Sequence, residues 1–133
     1  MSAAITGGST VEEFAGQAAE AVRALNHSTR PGIGALTYPA ELDTVVADLA
    51  ALAGRLPQLL AQLGRWLHTE QRHGRLRVDS CSPHADCAAA VAAATEQLTR
   101  ASDYARHAGR ALDGAHQILA HLAANDHDER IPR

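Results

Sequence analysis

Two cysteines and two histidines crowd one short stretch, His73 followed by Cys81-x-x-His84-x-x-Cys87, with His68 a little upstream. Thiolate and imidazole at such spacings are the ligands of structural zinc. Three features argue against a metal here. Cys87 falls on the inward face of the helix that follows it, His68 falls on an outward face, and Pro83 interrupts the run. The cysteines therefore read as two reduced thiols, one in a loop and one in a core. No metal and no cofactor is expected.

Arg65, Arg72, Arg75 and Arg77 lie in the same stretch and make it locally basic. Guanidinium groups can grip phosphate in a bidentate fashion, so nucleic acid contact is an alternative role for this region. The stretch lacks interleaved aromatics for stacking bases, and the net charge is −3. Glu70-x-x-His73 and Asp113-x-x-His116 echo the carboxylate–histidine pairs of di-iron bundles. In an antiparallel hairpin, residue 70 lies opposite roughly 86 and residue 113 opposite roughly 43, so the two pairs stand about 40 Å apart. They do not converge. Ser, His and Asp are present, but a nucleophile elbow and a Gly-rich phosphate loop are not. The expectation is a protein without catalytic residues, not an enzyme.

The elements that carry these residues are legible from pattern and composition. The chain has 133 residues, 46% of them apolar but only 3% aromatic, which sets the expectation of one domain over 1–133 with an aliphatic core. Ala, Leu, Arg and Gln are strong helix formers, so the class is all-α. Within 38–68, Leu42, Val45, Leu49, Leu52, Leu56, Leu59, Leu63 and Trp66 recur at alternating steps of three and four. That is a heptad seam, with Val46, Leu60 and Leu67 on its flank.

The expected layout is a coiled-coil-like antiparallel bundle of one short and two long helices. Residues 1–9 form a flexible N-terminus. The first helix spans 10–26, opened by a Thr10/Glu13 capping box. A loop follows at 27–37, whose Ile33 and Leu36, with Tyr38, plug the end of the bundle. The second helix spans 38–73 with Pro39 in its first turn. Pro57 kinks it but does not break it, and points outward. The third helix spans 83–124, capped by Ser82 and Pro83, with a seam of Cys87, Val91, Ala94, Leu98, Ala101, Ala105, Ala108, Leu112, Ala115, Leu119 and Leu122. Residues 125–133 form a flexible tail. Large residues of the second helix should pack into small ones of the third.

The first helix is too short to cover the whole hairpin. It reaches only the end holding 39–55 and 105–124. Leu59, Leu60, Leu63, Trp66, Leu67, Val91 and Leu98 would remain uncovered on the other half. Contiguous apolar surface of that size marks an interaction site. The expected partner is a second copy of the chain, forming a two-fold dimer, or else a helix of another protein. The loop at 27–38 is a second candidate surface.

The runs Ala24-Leu25-Asn26-His27, Thr29-Arg30-Pro31-Gly32, Leu36-Thr37-Tyr38-Pro39-Ala40-Glu41, Arg55-Leu56-Pro57-Gln58 and Trp66-Leu67 resemble a group of small helical proteins of unknown function common in actinobacteria. The resemblance covers roughly residues 19–68 and the Ala-rich character of the third helix. It implies a cytoplasmic bacterial setting and nothing about catalysis. The group is often met beside mobile-element genes, which implies an accessory or regulatory role. The N-terminus lacks a basic and an apolar signal region, and no apolar run approaches the ~18 residues that span a membrane. A cytoplasmic protein that does not enter a membrane is expected, in keeping with two reduced cysteines.

Overall fold

The computed structural model describes residues 10–125, and the segments expected to be flexible, 1–9 and most of 125–133, lie outside them. Three helices and no strand occur among the described residues: α1 (Val11–Ser28), α2 (Pro39–Arg72) and α3 (Cys87–Leu119). The fold is all-α, with α2 and α3 packed extensively against each other as a helical bundle. The chain divides into two compact units, Met1–Tyr38 and Pro39–Arg133.

The first unit holds α1. Its capping box forms as the sequence requires: Glu13 N–H donates to Thr10 Oγ1 at 3.1 Å, and Thr10 N–H donates to Glu13 Oε1 at 2.7 Å. The helix ends two residues later than expected, at Ser28, because Thr29 closes it. The Thr29 backbone N–H and hydroxyl both donate to the Leu25 carbonyl. Gly32 and Gly34 then take positive φ (90° and 76°), which turns the chain where a side chain would be strained. No residue of α1 is buried. Ile33, Leu36 and Tyr38 are also exposed.

The second unit is an antiparallel hairpin. α2 runs unbroken through Pro57. Contrary to the outward position expected for it, Pro57 is half-buried. Gly74, at φ 69°, follows the end of α2 and lets the chain leave it. The start of α3 corrects the sequence reading. Ser82 accepts the His84 N–H and Asp79 accepts the Cys81 N–H, so both are spent on local turns. Asp86 is the N-cap instead, accepting from Ala89 N–H at 2.8 Å. A carboxylate suits the positive end of the helix dipole better than a hydroxyl does. α3 stops at Leu119 rather than near residue 124, where Ala120, His121 and Leu122 tighten into successive turns.

The seam between α2 and α3 is one residue away from the leucine heptad. On α2 it is Asp43, Val46, Ala50, Ala53, Pro57, Leu60, Gly64 and Leu67, all buried or half-buried. On α3 it is Val91, Thr95, Leu98, Ser102, Ala105, Gly109, Leu112, His116 and Leu119. The expected α3 seam is right at Val91, Leu98, Ala105, Leu112 and Leu119. It is displaced by one at Ala94, Ala101, Ala108 and Ala115. The buried residues of the hairpin are Ala50, Ala53, Gly64, Val91, Ser102, Ala105 and Gly109; no leucine is among them. Small residues thus meet small residues. A Cβ built on Gly109 would stand 3.7 Å from Ala53 Cβ and 3.8 Å from the Gly54 backbone nitrogen, so the two helices approach backbone to backbone at this layer.

Candidate functional site

One residue is about 100° of helix, so a seam displaced by one turns α2 by that angle. The leucine stripe therefore lies beside the hairpin seam, not in it. Leu42, Leu52, Leu59, Leu63 and Trp66 are exposed, Trp66 at 58%. Val45, Leu49 and Leu56 are half-buried. On α3 the matching flank is Ala90, Ala94, Gln97, Ala101, Tyr104, Ala108, Ala111, Ala115 and Ile118, apolar but for Gln97, with Tyr104 and Ile118 exposed. In an antiparallel pair, the flanks one step back from each seam fall on the same side. The hairpin consequently has one apolar face, rich in Leu from α2 and Ala from α3.

The opposite face is polar. The residues one step forward from each seam come together there, and a groove of about 340 Å³ is lined by Arg65 and His68 from α2 with Thr99 and Arg106 from α3. This pairing of forward flanks confirms the sidedness of the hairpin.

The residues expected to bind a partner divide accordingly. Leu59, Leu63 and Trp66 lie on the exposed apolar face. Leu60, Leu67, Val91 and Leu98 do not: they belong to the hairpin seam, with Val91 only 5% exposed. Nor is the exposed surface confined to the half near the turn, since Leu42 and Leu52 at the other end are exposed too. The signal that would have found the true seam was a second heptad ladder, Ala50, Ala53, Pro57, Leu60, Gly64 and Leu67, masked by the larger side chains one position back.

The basic stretch is rearranged by pairing. Arg75 Nε donates to Glu70 Oε2 at 2.6 Å and Arg75 Nη2 to Glu70 Oε1 at 3.1 Å, a bidentate clasp across the end of α2. The Arg75 hydrogen bond holds the Glu70 carboxyl below the usual glutamate range, and the same bond raises the guanidinium. Arg75 is also 3.0 Å from His73 Nδ1. Arg65 faces the polar groove instead of the turn. Of the four arginines, Arg75 is thus paired with Glu70 and Arg65 lines the polar groove.

The two carboxylate–histidine pairs separate as well. Glu70 binds Arg75, while His116 reaches across the hairpin to Asp43 at 2.6 Å. Among the described residues no group of three or more His, Cys, Asp or Glu is placed to hold a metal. Cys81 is exposed and Cys87 half-buried, both as free thiols.

One expectation about membranes needs amending. α2 is long enough to cross a bilayer, and an 18-residue stretch of it reaches a mean hydropathy of 1.2. Arg55 lies at the middle of α2, and a charged residue at the centre of a spanning helix costs about 2.5–3.5 kcal/mol. The helix is two-sided rather than uniformly apolar, with polar and charged residues opposite its leucine stripe.

Compared with protein-family models, curated proteins and solved structures, the chain matches none.

Proposed function

We propose that this protein is a non-enzymatic helical hairpin that works by association with a second copy of itself through the leucine face. The observation that supports this is the displaced seam. An eight-residue apolar ladder is left beside the hairpin contact, and five of its members are exposed. Full burial of a Leu side chain is worth about 1.5–3 kcal/mol. The hairpin leaves part of that gain unused, with Leu42, Leu52, Leu59 and Leu63 still 37–44% exposed.

A second copy is the occupant that the ladder itself favours. Turned end for end about Gly54, the stripe meets itself in apolar layers throughout: Leu42 opposite Trp66, Val45 opposite Leu63, Leu49 opposite Leu59 and Leu52 opposite Leu56. Such self-complementarity is what a two-fold interface requires. The matching Ala flank of α3 lets the two hairpins close into a four-helix arrangement at short spacing. A bacterial, cytoplasmic setting accords with the free thiols and with the resemblance in the sequence.

The test is absolute mass in solution by light scattering. The wild type is expected to be a dimer, and Leu63→Glu to be a monomer with unchanged helical circular dichroism. A wild type that stays monomeric at tens of micromolar, a range in which interfaces of standard size associate, defeats the proposal.

A further inference from the structure

We infer that the polar groove of the hairpin binds a phosphate group carried on a small organic molecule. The groove's volume, about 340 Å³, is within the range of small-molecule sites. Its lining carries a guanidinium from each helix, Arg65 from α2 and Arg106 from α3, with the His68 imidazole beside them. Arg65 has no carboxylate partner among the described residues, whereas Arg106 shares its charge with the exposed Asp103 at 3.2 Å.

A hydroxyl adds the second observation. Ser102 is only 7% exposed and lines the groove, adding a hydroxyl to its polar lining. Thr99 offers another hydroxyl at the rim.

The donors come from both sides of the groove, which suits the several oxygens of a tetrahedral phosphate better than the two of a planar carboxylate. Leu60 and Leu98 line the groove as well, and give an apolar surface for the organic part. The groove lies on the face opposite the leucine stripe, so the inference does not depend on self-association.

Calorimetric titration of the full chain with phenyl phosphate and with inorganic phosphate tests it. Phenyl phosphate is expected to bind, and about tenfold more tightly than inorganic phosphate, because its ring meets Leu60 and Leu98. Arg65→Ala and Arg106→Ala should each weaken binding by about tenfold or more, the loss expected for a charge-assisted hydrogen bond. Arg72→Ala removes the same charge outside the groove and should leave binding unchanged. Circular dichroism of each variant confirms that the helices persist. The inference is overturned if phenyl phosphate shows no binding at millimolar concentration, or if Arg72→Ala weakens it as much as Arg65→Ala. It is equally overturned if a short oligonucleotide binds with dependence on Arg65 and Arg106 while phenyl phosphate does not, since the groove would then serve nucleic acid.

Discussion

His116 Nδ1 and Asp43 Oδ1 stand 2.6 Å apart, joining two residues 73 positions distant in the chain. The pair is part-buried and lies in the seam, near the start of α2 and the end of α3. Together with the approach of Gly109 to Ala53 and of Gly64 to Thr95, it fixes the register of the hairpin. Small residues specify a register weakly, because Ala and Gly layers resemble one another. A single polar pair in such a seam is a device that does specify it.

The Asp43–His116 bond should therefore be measurable as a coupling. Asp43→Ala and His116→Ala should each lower stability, and a double-mutant cycle should return an interaction of about 1 kcal/mol. Urea unfolding of the four proteins checks this. A coupling indistinguishable from zero would mean that the pair does not hold the register.

The glycines of α3 should behave differently from each other. A Cβ at Gly114 meets nothing within 4 Å, so Gly114→Ala should stabilise the protein by up to about 1 kcal/mol through helix propensity. At Gly109 an added Cβ makes ordinary contact with Ala53, so Ala is accommodated there too. Gly109→Leu is not: it wedges the helices apart and should cost about 1–3 kcal/mol. Thermal unfolding of the three variants should rank them in that order.

Acid should loosen the clasp at the end of α2. The Arg75 hydrogen bond keeps the Glu70 carboxyl below the usual range. Its contribution to stability is complete above the ordinary glutamate pKa and disappears as pH falls through the lowered folded value. Replacing Arg75 with Gln should move the Glu70 titration upward, toward that ordinary range. Carboxyl-carbon NMR across acidic pH reads the shift directly; an unchanged midpoint would show that the clasp does not persist in solution.

Thr95 carries a hydroxyl oxygen that is buried without a hydrogen-bond partner, while its methyl faces Gly64, with 3.7 Å separating Thr95 Cγ2 from a Cβ built on that glycine. Thr95→Val keeps the shape and removes the orphaned group. It should raise stability by about 1–2 kcal/mol, the desolvation cost of such a group. Denaturant midpoints at constant slope decide it. A loss of stability would place a bound water on the hydroxyl.

Much of the fold was determined by the sequence alone. Ala- and Leu-rich composition made the chain helical, Thr10 and Glu13 set the start of α1, Pro39 opened α2, and Gly74 ended it. These are local effects, decided by propensity and by backbone groups within a turn of the residue concerned. Even the start of α3 was a local contest, in which Asp86 prevailed over Ser82. Which stripe of α2 faces α3 was not local. Two heptad ladders run side by side on that helix, one of large residues and one of small, and periodicity cannot rank them. Only the tertiary structure chose the small one, because Ala53, Gly64, Ser102 and Gly109 let the backbones approach and Asp43 meets His116. The same choice left the leucines outside and brought Arg65 and Arg106, which are 41 residues apart in the chain, into one groove.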